Sequence, residues 1–256
     1  MSLILNLQSW SGDREQAEGL ARLICDIEQK PRDDVIFLLT CRFDSHYELD
    51  TINYVRSKFP RTYVHKTIRQ GRGWPEGPNA MYADSHGYCI ERVRNGEWKG
   101  VDGILFMEAD CVPLDVNWID HLKAEWDECK RRGKKVLGCW LEVGDCGVKH
   151  INGNCIMHTD LWREARQVLM PMSGGWDADL AGVILPRGMP SRLIYSDYGL
   201  GKPGYNEWKG CDDLWKTRHY RAVENPLHGQ NINPVWLHGP KTREAEYCVR
   251  RRLLGS

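Results

Sequence analysis

A chain of 256 residues with 41% hydrophobic and 27% charged residues has the size and composition of one large globular domain, or two small ones, with a sizeable core. Its 35 Lys and Arg balance 35 Asp and Glu, so the molecule as a whole carries no field favouring either sign of partner, and no apolar run approaches the ~20 residues that span a membrane. The balance is uneven, because residues 186–256 hold 12 basic against 7 acidic groups, a net of +5, and end in Arg250-Arg251-Arg252; an anionic partner near the C-terminal part is the reading that follows, beside a plain solvated tail.

The first half alternates strand and helix signals. "LILNLQ" (3–8) is a short apolar strand, and 13–29 follows with Ala17, Leu20, Leu23, Ile24 and Ile27 at helical spacing. "VIFLLTC" (35–41) is a second strand, 47–59 a second helix and "TYVHKTI" (62–68) a third strand. A glycine-rich turn, "RQGRGWPEGPN" (69–79), leads into a helix over 79–93, and "GILFMEA" (103–109) is the fourth strand. Strands interleaved with helices imply βαβ units and a mainly parallel sheet, whose ligands bind at the carboxyl ends of the strands. Residues 8–10, 41–44, 69–79 and 108–110 therefore share one rim, where the chemistry is expected.

The second half is less regular. Residues 118–132 form an amphipathic helix, 135–143 a strand, and 150–162 a strand running into a helix over 160–169. Gly-, Pro- and Trp-rich segments follow, better suited to a binding wall than to a scaffold. No internal repeat or low-complexity linker interrupts the chain, so one domain over 1–256 is expected. The ten cysteines include no C-x-x-C pair, and Cys41, Cys111, Cys139 and Cys155 sit in apolar runs as small hydrophobes. The N-terminal "MSLILNLQSW" lacks a basic region and a small-residue cleavage site. A soluble protein of a reducing compartment is expected.

In "ILFMEADCVPL" (104–114) a buried strand stops at two carboxylates, Glu108 and Asp110, one residue apart. Their spacing puts both side chains on one face, or fans them apart where the strand ends. Such a pair suits a hard divalent cation, Mg²⁺ or Mn²⁺, which takes oxygen ligands and bridges phosphate oxygens. The bland alternative is a strand-terminal turn with solvated acids. No G-x-x-x-x-G-K-[ST] or G-x-G-x-x-G motif is present, which argues against P-loop and dinucleotide-binding readings.

Closing the fourth strand of an alternating α/β half, Glu108-Ala109-Asp110 resembles the DxD motif of nucleotide-sugar glycosyltransferases of the GT-A fold, with Glu in place of the first Asp. The resemblance implies Asp110 as the firmer metal ligand and Glu108 as the weaker one. "VWLHGPK" (235–241) is similar to the late His, Gly and Lys by which several GT-A enzymes complete the metal and diphosphate site, although more compressed. His238 would be a metal ligand and Lys241 a phosphate contact. On the same resemblance Ser9 and Trp10 at the first strand end and Asp44 at the second would hold the base, Trp10 by stacking and Asp44 by accepting a uracil-type N–H. Asn79 would lie over the donor nucleotide, and Arg69 or Arg72 would meet phosphate. Asn152 and Asn154 in "HINGN" would bind sugar hydroxyls, with Gly153 permitting close approach. In "SGGWDADL" either Asp177 or Asp179 would be the general base of an inverting reaction; helix capping is the competing role for Asp177. Trp208, Asp212, Trp215 and Arg218, within an aromatic and basic segment, would face the acceptor.

The expectation is thus an α/β, GT-A, single-domain enzyme. Residues 1–115 would form its nucleotide-sugar half and 116–256 its acceptor half. A divalent cation, Mn²⁺ or Mg²⁺, held by Asp110, His238 and Glu108, would serve transfer of a hexose or pentose from a nucleoside-diphosphate sugar, UDP favoured, to a hydroxyl. The expected acceptor is a hydroxymethylated pyrimidine in DNA, as for bacteriophage enzymes that decorate DNA in the host cytoplasm; a glycan, protein or lipid acceptor stands close beside it. A nucleotidyltransferase should carry a G-x-G-T-R-like loop, which "LNLQSWSGD" is not. A non-catalytic nucleic-acid-binding module would need neither the acidic strand end nor the late His.

Overall fold

A computed structural model describes residues 2–141, 149–161, 174–196, 234–240 and 243–255. The elements run β1 (Ser2–Ser9), α1 (Arg14–Ile27), β2 (Val35–Cys41), α2 (Leu49–Lys58), β3 (Thr62–Lys66), α3 (Glu76–Arg94), β4 (Val101–Met107), β5 (Cys111–Pro113), α4 (Trp118–Arg131), β6 (Val136–Leu141) and β7 (His150–His158). After a 3₁₀ turn at Thr159–Leu161 come two one-turn helices, α5 (Trp176–Asp179) and α6 (Ala181–Ile184), then β8 (Gly188–Pro190), β9 (Ile194–Ser196), β10 (Trp236–His238) and α7 (Glu244–Leu253).

Seven strands form one sheet in the order β3-β2-β1-β4-β7-β6-β8. β3, β2, β1 and β4 are parallel, β7 is antiparallel to both β4 and β6, and β8 runs parallel to β6. The expected mainly parallel sheet is therefore present, with one reversed strand in its middle. Strand alternation divides the core into two layers. Leu3, Leu5, Leu7, Val35, Phe37 and Leu39 pack with α1 and α4 on one face, while Ile4, Ile36, Leu38, Ile104 and Phe106 pack with Tyr82 and Cys89 of α3 on the other. Toward the carboxyl end of β1 that second face turns polar. Asn6 and Gln8 both donate to Ser85 Oγ of α3, at 3.0 and 2.9 Å, and Thr40 Oγ1 donates to Asn6 Oδ1 at 2.7 Å. Buried amides satisfied in this way fix α3 against the sheet directly beneath the rim.

Two boundaries differ from the sequence expectation. α3 begins at Glu76, three residues early, because Pro75 at its N-cap and the Gly77 N–H bond to Gly73 O start the turn before the apolar periodicity does. β4 stops at Met107, and Glu108 O accepts the Cys111 N–H at 3.2 Å, so Glu108 and Asp110 stand in a turn past the strand end.

A second sheet, β5-β10-β9, lies at the rim. β10 is antiparallel to β5, with His238 opposite Cys111, and parallel to β9, with His238 opposite Ser196. Nothing in the linear pattern announced it. Seven of the described cysteines (25, 41, 89, 111, 129, 139 and 155) are buried and free, and Cys248 is disulfide-bonded. Among the described residues no helix is long and apolar enough to cross a membrane.

Candidate active site

The four parallel strands deliver their carboxyl ends to one edge, and the turn Glu108–Cys111 occupies its centre. Its shape is held by Asn154 of β7, which is fully buried and whose Oδ1 accepts both the Glu108 N–H at 2.9 Å and the Cys111 thiol at 2.8 Å. Asn152 Oδ1 in turn accepts the Asn154 backbone N–H at 3.0 Å and its side-chain N–H at 3.3 Å. The amide of Asn154 is thus spent on the acidic turn, and Asn152 supports it.

β10 then brings in His238. Its Nε2 lies 3.4 Å from Asp110 Oδ1 and 3.5 Å from Glu108 Oε2, and its Nδ1 is 2.9 Å from Ser196 Oγ. One ligand atom from each of Glu108, Asp110 and His238 falls within 4.8 Å of the others. His238 and Asp110 are buried, whereas the Glu108 side chain is about half exposed. Nε2 is a buried nitrogen without a hydrogen-bond partner, facing two carboxylates across gaps too long for a hydrogen bond. That is the geometry of a ligand set. Two carboxylate oxygens and one imidazole nitrogen suit Mn²⁺ or a similar divalent cation, and the bond from Nδ1 to Ser196 fixes the ring's orientation. Without a cation, burial disfavours charge on His238, but the attraction of Asp110 and Glu108 prevails and lifts its pKa from 6.5 to about 10.

A further acid enters from the β1–α1 turn. Asp13 accepts the Trp10 backbone N–H at 2.8 Å. Burial, reinforced by the charges of Asp110 and Glu108, raises its pKa from 3.8 to about 7 against the pull of that N–H. Asp13 is the N-cap residue of α1, yet no side-chain capping bond forms, and its carboxylate feels the charge of the acidic turn.

The two candidate bases, Asp177 and Asp179, both lie on the α5 loop. Asp179 Oδ2 accepts the Gly174 N–H at 3.0 Å and folds back on its own loop. Burial, with the charge of Glu108, raises the Asp177 pKa against the opposing pull of His150. Asp177 also accepts the adjacent Ala178 N–H at 3.0 Å. Asn79 positions this loop: its Nδ2 donates to Gly174 O at 2.9 Å and its Oδ1 accepts the Trp176 N–H at 2.8 Å. The Trp176 ring stacks on Tyr82, centroids 3.8 Å apart.

At the other end of the rim the Trp10 ring lies over the Arg42 guanidinium, 5.0 Å from its centroid. A Cβ on Gly12 would fall 2.3 Å from Trp10 Cη2, so glycine is required for the ring to fold back this way. Arg42 holds Asp44 through two bonds, Nε to Oδ1 at 2.6 Å and Nη2 to Oδ2 at 2.9 Å, which lowers the Asp44 pKa. Arg72 approaches the same carboxylate at 3.8 Å and lies over Phe43. Arg69 is paired with Asp84 at 2.9 Å. Ser9 is buried, its carbonyl accepting the Arg42 N–H. Beside this cluster opens a cleft of about 510 Å³, lined among others by Ser11, Asp13, Arg14, Asp44, His46 and Arg243. Arg42 is the residue that sequence reading passed over; its place next to Asp44 at a strand end was the available signal. Lys241 and the expected acceptor residues Trp208, Asp212, Trp215 and Arg218 lie outside the described residues.

No protein family and no curated protein matches the sequence. Solved structures do match the fold. An active-site mutant of LgtC aligns over 100% of this chain and 95% of its own length, with a TM-score of 0.56 at 12% identity. The galactosyltransferase LgtC in complex with donor and acceptor sugar analogues aligns over the same shares, at a TM-score of 0.51 and 11% identity. The bifunctional glycosyltransferase WbbM aligns over 100% of this chain and 50% of its own, with a TM-score of 0.55 at 10% identity. The chain spans 58% of a Staphylococcus aureus TarS structure at a TM-score of 0.49, a similarity too weak to carry an argument. At these identities the likeness is one of fold: the chain has the α/β GT-A architecture of glycosyltransferases such as LgtC and WbbM.

Proposed function

We propose that this protein is a metal-dependent glycosyltransferase that moves a sugar from a nucleoside-diphosphate sugar, UDP favoured, to a hydroxyl acceptor. The observation that carries the reading is the meeting of Glu108, Asp110 and His238 within 4.8 Å at the carboxyl rim of a GT-A sheet. Three elements far apart in sequence supply these groups, and two carboxylate oxygens with one imidazole nitrogen make a donor set that suits a divalent cation. A divalent cation bound there supplies positive charge to offset what develops on a departing diphosphate. Asp110 and His238, both buried, hold the site; half-exposed Glu108 forms its solvent side. Asp177, which feels the charge of Glu108 in the acidic turn, is the carboxylate we assign to remove the proton of the acceptor hydroxyl. Trp10, Arg42 and Asp44 form the base end of the donor site. LgtC, with which the fold is shared, has been seen with donor and acceptor sugar analogues, which supports a nucleotide-sugar donor here.

The expectation of DNA as acceptor rested on the net +5, aromatic-rich part 186–256 with its three terminal arginines, of which 197–233 lie outside the described residues; it stands as a proposal beside a glycan, protein or lipid acceptor. Calorimetry with UDP and GDP, with and without Mn²⁺, tests the core of the reading. Mn²⁺-dependent binding abolished by Asp110→Ala is expected, and absence of nucleoside-diphosphate binding by the wild-type protein overturns it. Mass spectrometry after incubation with sugar nucleotides and an acceptor panel including hydroxymethylated DNA then reads donor, acceptor and bond formed.

A further inference from the structure

Trp74 stands out from the rest of the rim. It is 75% exposed, and neighbouring residues of its loop are tied to other elements. A Cβ on Gly71 would fall 2.3 Å from Glu76 O, so the loop backbone is pressed onto the first turn of α3. Arg72 next to it is tied to Phe43 and Asp44 across the rim. The indole itself reaches toward the α5 loop, where a Cβ on Gly175 would lie 4.0 Å from Trp74 Cζ2 and 2.8 Å from Asp177 Oδ1. One bare glycine therefore separates a solvent-facing indole from the carboxylate assigned as base. A scattered surface aromatic needs no explanation, but this one stands beside a carboxylate, on a glycine that leaves room between them.

We infer that Trp74 is the stacking platform of an acceptor subsite for a neutral carbohydrate, with the attacking hydroxyl presented to Asp177. A pyranose has a C–H face that covers an indole, and an edge of hydroxyls that donate to a carboxylate; Trp74 and Asp177, both beside Gly175, offer one of each. On the α5 side of the indole the group presented is the Asp177 carboxylate, which favours an uncharged hydroxyl over a phosphate at that spot. This subsite deepens the reading above and rests on the assignment of Asp177 there; stacking by Trp74 does not itself require the donor site.

Saturation-transfer NMR on the wild-type protein with UDP and Mn²⁺ tests it, using lactose, chitotriose and maltotriose as probes and a hydroxymethylcytosine duplex as rival. The expected result is saturation of the ring protons on one face of at least one saccharide. Trp74→Ala should weaken that saccharide's binding about tenfold, Trp74→Phe should restore most of it, and the UDP affinity of both variants should match wild type. Saccharide binding that is absent from wild type, or equal in Trp74→Ala, overturns the subsite, as does saturation of the DNA in place of the sugars. A Trp74→Ala variant that loses UDP affinity in step with the saccharide also overturns it, because the loop would then belong to the donor site. Failure of the transferase reading itself shows separately, as wild-type protein that binds no UDP.

Discussion

Asn154→Ala tests how the acidic turn is held. The substitution removes the oxygen that accepts the Glu108 N–H at 2.9 Å and the Cys111 thiol at 2.8 Å, and it does so at a fully buried position. A buried backbone donor left without an acceptor costs about 1–3 kcal/mol. The thiol is a weak donor and adds less, so the expected loss is about 2–3 kcal/mol, seen in urea unfolding as a lower midpoint at unchanged slope. The turn also aims Asp110 and Glu108 at His238, so loosening it should weaken Mn²⁺ binding about 10- to 100-fold, the usual effect of removing a group that orients metal ligands. Mn²⁺ titration followed by electron paramagnetic resonance of the free ion measures this directly, without turnover. If Asn154→Ala unfolds more easily but binds Mn²⁺ as tightly as wild type, the reasoning fails; pairing of β5 with β10 would then suffice to place the carboxylates.

Two further outcomes follow from the same geometry. His238 has a folded pKa of about 10 against 6.5 for the unfolded imidazole, so its charge stabilises the metal-free protein fully below pH 6.5 and the benefit is lost as pH rises through 10. Mn²⁺ needs the neutral ring, so uptake between those limits should release about one proton per ion; calorimetry in buffers of different ionisation enthalpy reads it, and a buffer-independent heat would contradict the assignment of His238 as ligand. Away from the rim, Gly138→Ala would put a Cβ 2.7 Å from both Cys155 Cβ and Ile151 Cγ2 between β6 and β7. It should cost about 1–3 kcal/mol by thermal denaturation while leaving Mn²⁺ affinity as in wild type.

Where periodicity was strong the sequence could be read closely. The runs in β1, β2 and β4 are buried on both faces, so continuous apolarity marked them, and the amphipathic spacing of α1 and α4 marked those helices. Glu108 and Asp110 were legible because two acids after such a run are conspicuous. Other site residues took roles that residue type alone does not distinguish. An Asn can bind a sugar or hold a turn, and Asn154 holds a turn. Asp177 and Asp179 are equivalent by type, each accepts an N–H of its own loop, and the charge of Glu108 bears on Asp177. Arg42 and Asp13 carried no motif, and their importance comes from neighbours contributed by other elements.

By itself the sequence determined the alternating α/β half, the shared rim of its strand ends and the acidic pair at the centre of that rim, because these follow from local hydrophobic period and connectivity. Only the tertiary structure decided that His238, 128 residues beyond Asp110, meets it at 3.4 Å. That contact depends on β10 adding antiparallel to the three-residue strand β5, a pairing too short to leave a periodic signal and set by what packs around it rather than by the residues it contains.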